Sequence, residues 1–259
     1  MIQLGCNYSQ ELIELITKDK VDVAWIKLSK EDLYDAQFEA IKDIKPGLFH
    51  LVPHVLGNKD LPGWDIKRVN KAITDCKSPH VGVHLRANKN DIKGVVTREI
   101  LKEKTISKIR QGKRTINSTY LVENMPITCL SEDYKTLADP EFIKEICEES
   151  GIGLLLDVSH LKISAWHRGE SEISYLKKLP LNLVKEIHIN GPRRIGDKYY
   201  DSHLDMRPED YTFLEEVLSL TQPDIITLEY GGQRDDDIET DINLLQSQLE
   251  KLTNIIKNR

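Results

Sequence analysis

The chain has 259 residues, 39% of them hydrophobic and 30% charged, with a formal net charge of −6. That length suits one (β/α)8 barrel, residues 1–259 forming a single domain, and is large for a lone sandwich. The acidic balance argues against a dedicated nucleic-acid binder, and the composition fits a globular domain with a sizeable core.

Four cysteines (Cys6, Cys76, Cys129, Cys147) are widely spaced and form no CxxC pair, which predicts reduced thiols and a cytoplasmic setting. The first ten residues hold no basic segment followed by an apolar one. No apolar run nears the roughly 18 residues of a membrane span, so no membrane partner is expected.

In chain order, IQLGCNY (2–8) reads as a strand, and Ser9 is placed to cap the helix SQELIELITKD. VDVAWIKLS (21–29) is the second strand and LSKEDLYDAQFEAIKDI the second helix. Pro46-Gly47 breaks it, and LFHLV (48–52) is the third strand. A loop with Gly57, Pro62 and Gly63 leads to the amphipathic WDIKRVNKAITDC, then to a fourth strand, HVGVHLRA (80–87).

After the polar loop NKNDIKG comes a long charged helix, VTREILKEKTISKIRQGKR, whose basic stretch from Lys104 to Arg114 reads as a solvated face. STYLVENMP (118–126) is the fifth strand. The 130–138 segment reads as a loop, short enough to serve a partner. Asp139 at N-cap with Pro140 after it opens DPEFIKEICEES.

GIGLLLDVSH (151–160) is the sixth strand, nearly all apolar until Asp157, as a strand buried on both faces should be. SEISYLKKLP is helical and VKEIHIN is the seventh strand. RRIGDKYY (193–200) reads as a loop, RPEDYTFLEEVLSL as a helix, and PDIITLEYGG (223–232) as the eighth strand. The last helix follows, with Asp235 to Asp237 in its first turn, where the dipole favours acids. Eight strand-helix alternations without linker or repeat predict a closed parallel barrel. The missing GxGxxG after the first strand removes the dinucleotide fold.

A barrel gives the polar strand tips one meaning, because its active sites sit at the C-terminal strand ends. Five histidines fall at or just past such ends: His50, His84, His160, His188 and His203. Four acids do the same: Glu123, Asp157, Asp201 and Glu229. Singly, each is better read as a capping, paired or core residue. Burying all nine together without a cation would be costly, so the set reads as metal ligands. Mixed imidazole and carboxylate donors without thiolate suit Fe, Mn or Zn, and nine donors suffice for two or three ions. His54 is an alternative to His50. His80 begins its strand and reads as structural, while His167 is placed near the mouth without binding metal.

These residues carry a family resemblance. DVSH with Asp157 and His160, and DSH with Asp201 and His203, resemble the paired ligands of endonuclease IV in the xylose isomerase-like superfamily. The stretches HLVPHVLG (50–57), VHL (83–85), VENMP (122–126), GLLLDVSHLKISAWHRG (153–169), LPLNLVKEIHING (179–191), YDSHLDMRPE (200–209) and TLEYGG (227–232) are closer to another branch. They resemble the multinuclear non-heme iron-dependent oxidases that modify ribosomal peptides, among them the methanobactin-biosynthesis oxidase. Four departures stand out: His160 replaces the usual Asn, Pro192 and Arg168 stand where His is common, and Lys27 stands where Glu is usual.

The resemblance implies that His50 and His84 hold one iron, Asp157 and His188 a second, and His160, Asp201 and His203 a third. Glu123 and Glu229 would bridge or flank the ions, so that Glu123, Asp157 and Glu229 are the candidate catalytic carboxylates. The implied cofactor is two or three Fe ions, with Zn or Mn as alternatives. The implied reaction is an O2-dependent oxidation of a cysteine-containing precursor peptide, presented by a peptide-recognition partner. Two other readings compete: a one-metal sugar isomerase or epimerase, and an endonuclease IV-like phosphodiesterase.

Overall fold

The computed structural model describes residues 1–28, 34–55, 66–87, 91–231 and 240–259, and within 51–54 the backbone alone. Ten strands are present among them. The first five are β1 (Gln3–Asn7), β2 (Trp25–Leu28), β3 (Gly47–His54), β4 (His80–His84) and β5 (Thr119–Glu123). The next five are β6 (Gly153–Asp157), β7 (Val184–Ile189), β8 (Gly191–Ile195), β9 (Lys198–Leu204) and β10 (Ile225–Leu228).

The helices are α1 (Gln10–Thr17), α2 (Tyr34–Ile41), α3 (Ile66–Cys76), α4 (Arg98–Thr115) and α5 (Pro140–Ser150). They continue with α6 (Val158–Arg168), α7 (Glu172–Leu176), α8 (Pro208–Leu220) and α9 (Ile242–Lys257).

Eight strands close a barrel in the order β1, β10, β7, β6, β5, β4, β3, β2, with every pairing parallel. This is the fold class the alternation predicts. Period-two alternation sends one set of side chains into the barrel and the other against the helices. The helix-facing set is the apolar core: Val81, Val83, Val122, Leu154, Leu156, Ile187, Ile226 and Leu228 are all buried. Phe142 of α5 is fully buried in the same layer; truncating such a ring to Ala costs about 3–5 kcal/mol.

Helix starts follow the local chemistry. Ser9 caps α1 by accepting from the Leu12 N–H at 3.0 Å, and Asp139 caps α5 at Phe142 with Pro140 in the first turn. The cap of α9 is Asp241; Asp235 to Asp237 lie outside the described residues.

Three segments depart from the sequence expectation. The 193–200 stretch is no loop but the turn and flanks of an antiparallel hairpin, β8–β9, which stands apart from the barrel sheet. At its base Gly191 is required, because a Cβ there would meet the Asp205 carbonyl oxygen at 2.0 Å. The sixth strand ends at Asp157, and Val158 to His160 already belong to α6. The 130–138 segment is largely 3-10 helix (Glu132–Ala138), with Tyr134, Leu137 and Ala138 buried. The Tyr134 hydroxyl accepts from the Ile92 N–H at 3.2 Å. That segment is therefore anchored in the fold through these side chains, with Ser131 to Asp133 left exposed.

Candidate metal centre

The register of the barrel brings the polar tips level with one another. His84 pairs with Glu123 across β4–β5, Asp157 with His188 across β6–β7, and Asn7 with Lys27 across β1–β2. Glu229 follows β10 directly. On β3, His50 is level with Gly82, whose missing Cβ leaves room for the imidazole; a Cβ there would lie 3.0 Å from the His50 ring.

Glu123 is the hub. Its Oε2 lies 2.9 Å from His50 Nε2 and 3.2 Å from His84 Nε2, while its Oε1 lies 3.5 Å from His188 Nδ1 and 3.6 Å from His160 Nδ1. Four imidazoles thus surround one buried carboxylate. Burial alone would raise its pKa, but the His84 charge and the closeness of His188 and His50 hold it well below the usual range.

The two oxygens of Asp157 differ in their surroundings. Its Oδ1 accepts from the His160 N–H at 2.7 Å and so caps α6, while its Oδ2 is buried without a hydrogen-bond partner. An N-cap carboxylate reaches the N3 amide, which is why an acid-x-x-His spacing turns both side chains toward one point. His160 gives Nδ1 to the Asn124 carbonyl oxygen at 2.8 Å, and this leaves Nε2 facing Asp201 Oδ2 at 3.2 Å. A carbonyl partner of this kind fixes the tautomer of a metal-binding imidazole. His203 Nε2 reaches the same Asp201 oxygen at 2.9 Å, and Asn190 donates to Asp201 Oδ1. His203 itself has φ of +50°, a left-handed backbone uncommon for a non-glycine residue.

Glu229 faces His188 Nδ1 at 3.2 Å through Oε1 and His203 Nδ1 at 3.7 Å through Oε2; Oε1 also bonds the Lys27 ammonium. His188 Nδ1 and Nε2 and His203 Nδ1 are buried without an aligned hydrogen bond.

The structure thus brings together all nine sequence-derived candidates. His54 cannot be compared with His50, because its side chain lies outside the described residues. His167 is exposed in the last turn of α6, its ring against Trp166.

Three sets of donor atoms, each within 4.8 Å of one another, can be drawn from these residues: His50–Glu123–His188, Glu123–Asp157–His160 and Asp157–His188–Glu229. The orphaned carboxylate and imidazole atoms fit divalent ions, and oxygen and nitrogen donors suit Fe, Mn or Zn. Cys6, on neighbouring β1, is buried and burial pushes its thiol pKa up, so it stays a neutral thiol and supplies no thiolate.

Without metal, protons and Lys27 carry the compensating charge. Burial disfavours the His160 cation, yet Asp157 and Asp201 raise its pKa well above the ordinary value. Burial also lowers the Lys27 ammonium, with Glu123, Glu186, Asp157 and Asp201 drawing it back toward the charged form. His50 goes the other way: burial and the nearby Lys27 push it down to about 3, leaving a neutral imidazole suited to ligation.

A family model described as RiPP precursor modification enzyme MbnB/TglH/ChrH matches residues 3–257. The chain belongs to this family. That description makes the family's members enzymes that modify the precursors of ribosomally made peptides. Among curated relatives, a UPF0276 protein of Paraburkholderia phytofirmans is 27% identical over 201 residues, covering 73% of this chain and 65% of its own. One from Bordetella pertussis is 31% identical over 151 residues, covering 55% of this chain and 51% of its own. The chain thus spans between half and two thirds of these relatives' length.

Solved structures of like fold include a zinc-bound IOLI protein (TM-score 0.66, 14% identity, 99% of both chains). They also include an L-ribulose 3-epimerase (0.63, 14%, 100% and 97%) and a family 2 AP endonuclease from Brucella melitensis (0.62, 12%, 98% and 99%). At these identities they show the (β/α)8 barrel fold alone.

Some site residues escaped the sequence reading. Asn124 clasps β6 by donating to the Asp157 carbonyl oxygen and accepting from the Asp157 N–H, both at 2.9 Å. Asn190 orients Asp201. Glu186, two residues before His188, lies inside the barrel with its Oε1 3.3 Å from His188 Nε2. For Asn124 and Glu186 a signal existed: a buried amide directly after Glu123, and an acid at the strand position that alternation sends inward with His188.

Proposed function

We propose that this chain is a multinuclear non-heme iron oxidase that modifies a cysteine-containing ribosomal peptide with O2. One observation carries the reading: a buried His/carboxylate cluster without thiolate donors, with orphaned donor atoms at the mouth of the barrel, in a chain of the peptide-modifying family. His50, His84, His160, His188, Asp157, Asp201 and His203 would hold the ions, with Glu123 and Glu229 bridging or flanking them. Bound iron would supply an open coordination position for the substrate sulfur and the electrons that reduce dioxygen.

The chain's own residues set the conditions for that chemistry. Glu123 and Asp157 gather cationic or ligating imidazoles around one buried point. Asn124, Asn190 and the cap on α6 fix carboxylate and imidazole orientation before substrate arrives. The hairpin β8–β9 carries Asp201 and His203, so anything bound along it lies beside the centre. Carboxylates in this buried setting are also the groups to accept a proton from a substrate thiol.

A peptide-presenting partner belongs to the same reading. Among the described residues no helix is long and apolar enough to cross a membrane.

The test uses the full chain purified anaerobically after iron-replete expression. Metal analysis should find iron. Oxygen uptake and a mass change should appear only with a cysteine-containing peptide, taken from a short reading frame beside the gene. A metal-free preparation, or uptake indifferent to the cysteine, overturns the proposal. A nicking assay on abasic duplex DNA with Zn or Mn separates out the phosphodiesterase reading.

A further inference from the structure

Lys27 sits on β2, level with Asn7 of β1 and Leu48 of β3, with its side chain inside the barrel and 3% of the residue exposed. Its ammonium bonds Glu229 Oε1. That same oxygen is the one 3.2 Å from His188 Nδ1, and Asp157, His188 and Glu229 form one of the three donor sets. The carboxylate atom that would complete this set is therefore already held by the Lys27 ammonium. Neither His50–Glu123–His188 nor Glu123–Asp157–His160 includes Glu229.

We propose that Lys27 is a built-in substitute for a metal ion: it occupies the Glu229 corner, excludes a divalent ion from the Asp157–His188–Glu229 position, and limits the centre to two ions. This rests on the reading that the cluster binds divalent metal.

The physical ground is charge at close range. An ion in that position would share a carboxylate with the ammonium and stand a few Å from it, where like charges in a poorly solvated site repel strongly. Charge balance agrees. Two divalent ions with the lysine match the carboxylates Glu123, Asp157, Glu186, Asp201 and Glu229, whereas a third ion would leave an excess of about two positive charges. The ammonium also keeps Glu229 paired whether or not metal is present. Removing it would leave a buried carboxylate in need of another cation.

The experiment is a count. Metal-free full-length wild type, Lys27→Gln, Lys27→Met and Lys27→Arg are loaded anaerobically with Zn(II) or Fe(II), desalted, and analysed for metal per chain, with thermal melts to confirm folding. Wild type and the charge-keeping Lys27→Arg should retain two ions. Lys27→Gln and Lys27→Met should retain three, with the added ion the most weakly held.

Three ions in wild type, or two in every folded variant, overturn the inference while leaving the proposed function standing. No metal in wild type overturns both. If the neutral variants fail to fold, the wild-type count and Lys27→Arg still decide, since three ions in either contradicts the exclusion.

Discussion

Among the described residues the barrel holds two buried polar clusters, one above the other, built from the same residue types. In the lower one, His80 at the start of β4 bonds Glu186 of β7, and Thr227 of β10 donates to the other oxygen of the same carboxylate. In the upper one, Glu123, Asp157, His188, His203 and Glu229 crowd together, and several of their atoms have no hydrogen-bond partner. The difference teaches how to read buried charge. Where donors and acceptors match one for one, as in the lower cluster, the polar groups support one another. Where a surplus of acceptors converges, the fold has left room for a cation. His188 joins the two, its Nδ1 toward Glu123 and Glu229 and its Nε2 toward Glu186.

The largest test of this contrast is Glu123→Gln. The carboxylate that touches four imidazoles loses its charge, so the variant should retain below about one ion per chain and lose turnover altogether. Uncoupling a buried ion pair also costs about 3–5 kcal/mol in the metal-free protein, measurable by denaturant melts. Full metal content in this variant would make the upper cluster structural, like the lower, and end the comparison.

Glu186→Gln probes the lower cluster and should do much less. The direct donors stay, but His188 loses the carboxylate behind its Nε2. Changes of that kind weaken metal binding about 10–100-fold, and leaving His80 poorly paired costs about 1–3 kcal/mol. Titration should still reach the wild-type ion count at saturation. A fall in the count itself would mean that Glu186 is a ligand.

The third test is pH. In the metal-free chain the His160 pKa lies above its ordinary 6.5, because Asp157 and Asp201 outweigh burial. Its stabilising contribution is therefore complete below about pH 6.5 and is lost as pH rises through the folded-state value. Glu123 and Asp201 are held low by their imidazole partners, so their contribution is lost only in strong acid. Metal-free protein should thus melt at lower temperature as pH goes from 6.5 toward 9. The gain in melting temperature on adding Zn should grow over the same range, since binding expels the imidazole proton. A metal-free protein that grows more stable toward pH 9 would contradict a protonated His160.

The legible and illegible parts of this molecule follow the same division. Strands such as Gly153–Asp157 announce themselves because they are apolar on both faces and stop at a charge, and that stop marks the candidate ligand as well. Six of the nine candidates converge because strand ends in a barrel must converge, while His160 comes from the first turn of α6 and Asp201 and His203 from the hairpin. Pairings between distant residues leave no such mark: His80 and Glu186 are 106 positions apart, and only closure of the barrel joins them. Asp157 read as either a cap or a ligand, and in the structure one oxygen caps α6 while the other is buried without a hydrogen-bond partner. The hairpin was hidden by composition. RRIGDKYY is polar with a central glycine, and its alternation of buried Tyr199 with exposed Arg194 and Tyr200 appears only once Trp166 of α6 lies beneath it.

That hairpin supplies the smallest test. Arg194 lies 4.8 Å over the Tyr199 ring and 5.6 Å from the Trp166 ring, clamping the turn of β8–β9 to α6. Exposed cation–π contacts are worth about 0.5–1 kcal/mol, so Arg194→Ala should lower global stability by no more than about that amount. Its local effect reaches the metal centre because the same strand delivers Asp201 and His203. A looser hairpin should weaken only the ion that depends on them, by about two- to fivefold if 0.5–1 kcal/mol is lost there. The ion at His50 and His84 should be untouched. Isothermal titration resolves the two, since their affinities should separate in the variant. Equal weakening of both ions would show that the hairpin supports the centre as a whole, and the division between a barrel-held ion and a hairpin-held ion would have to be given up.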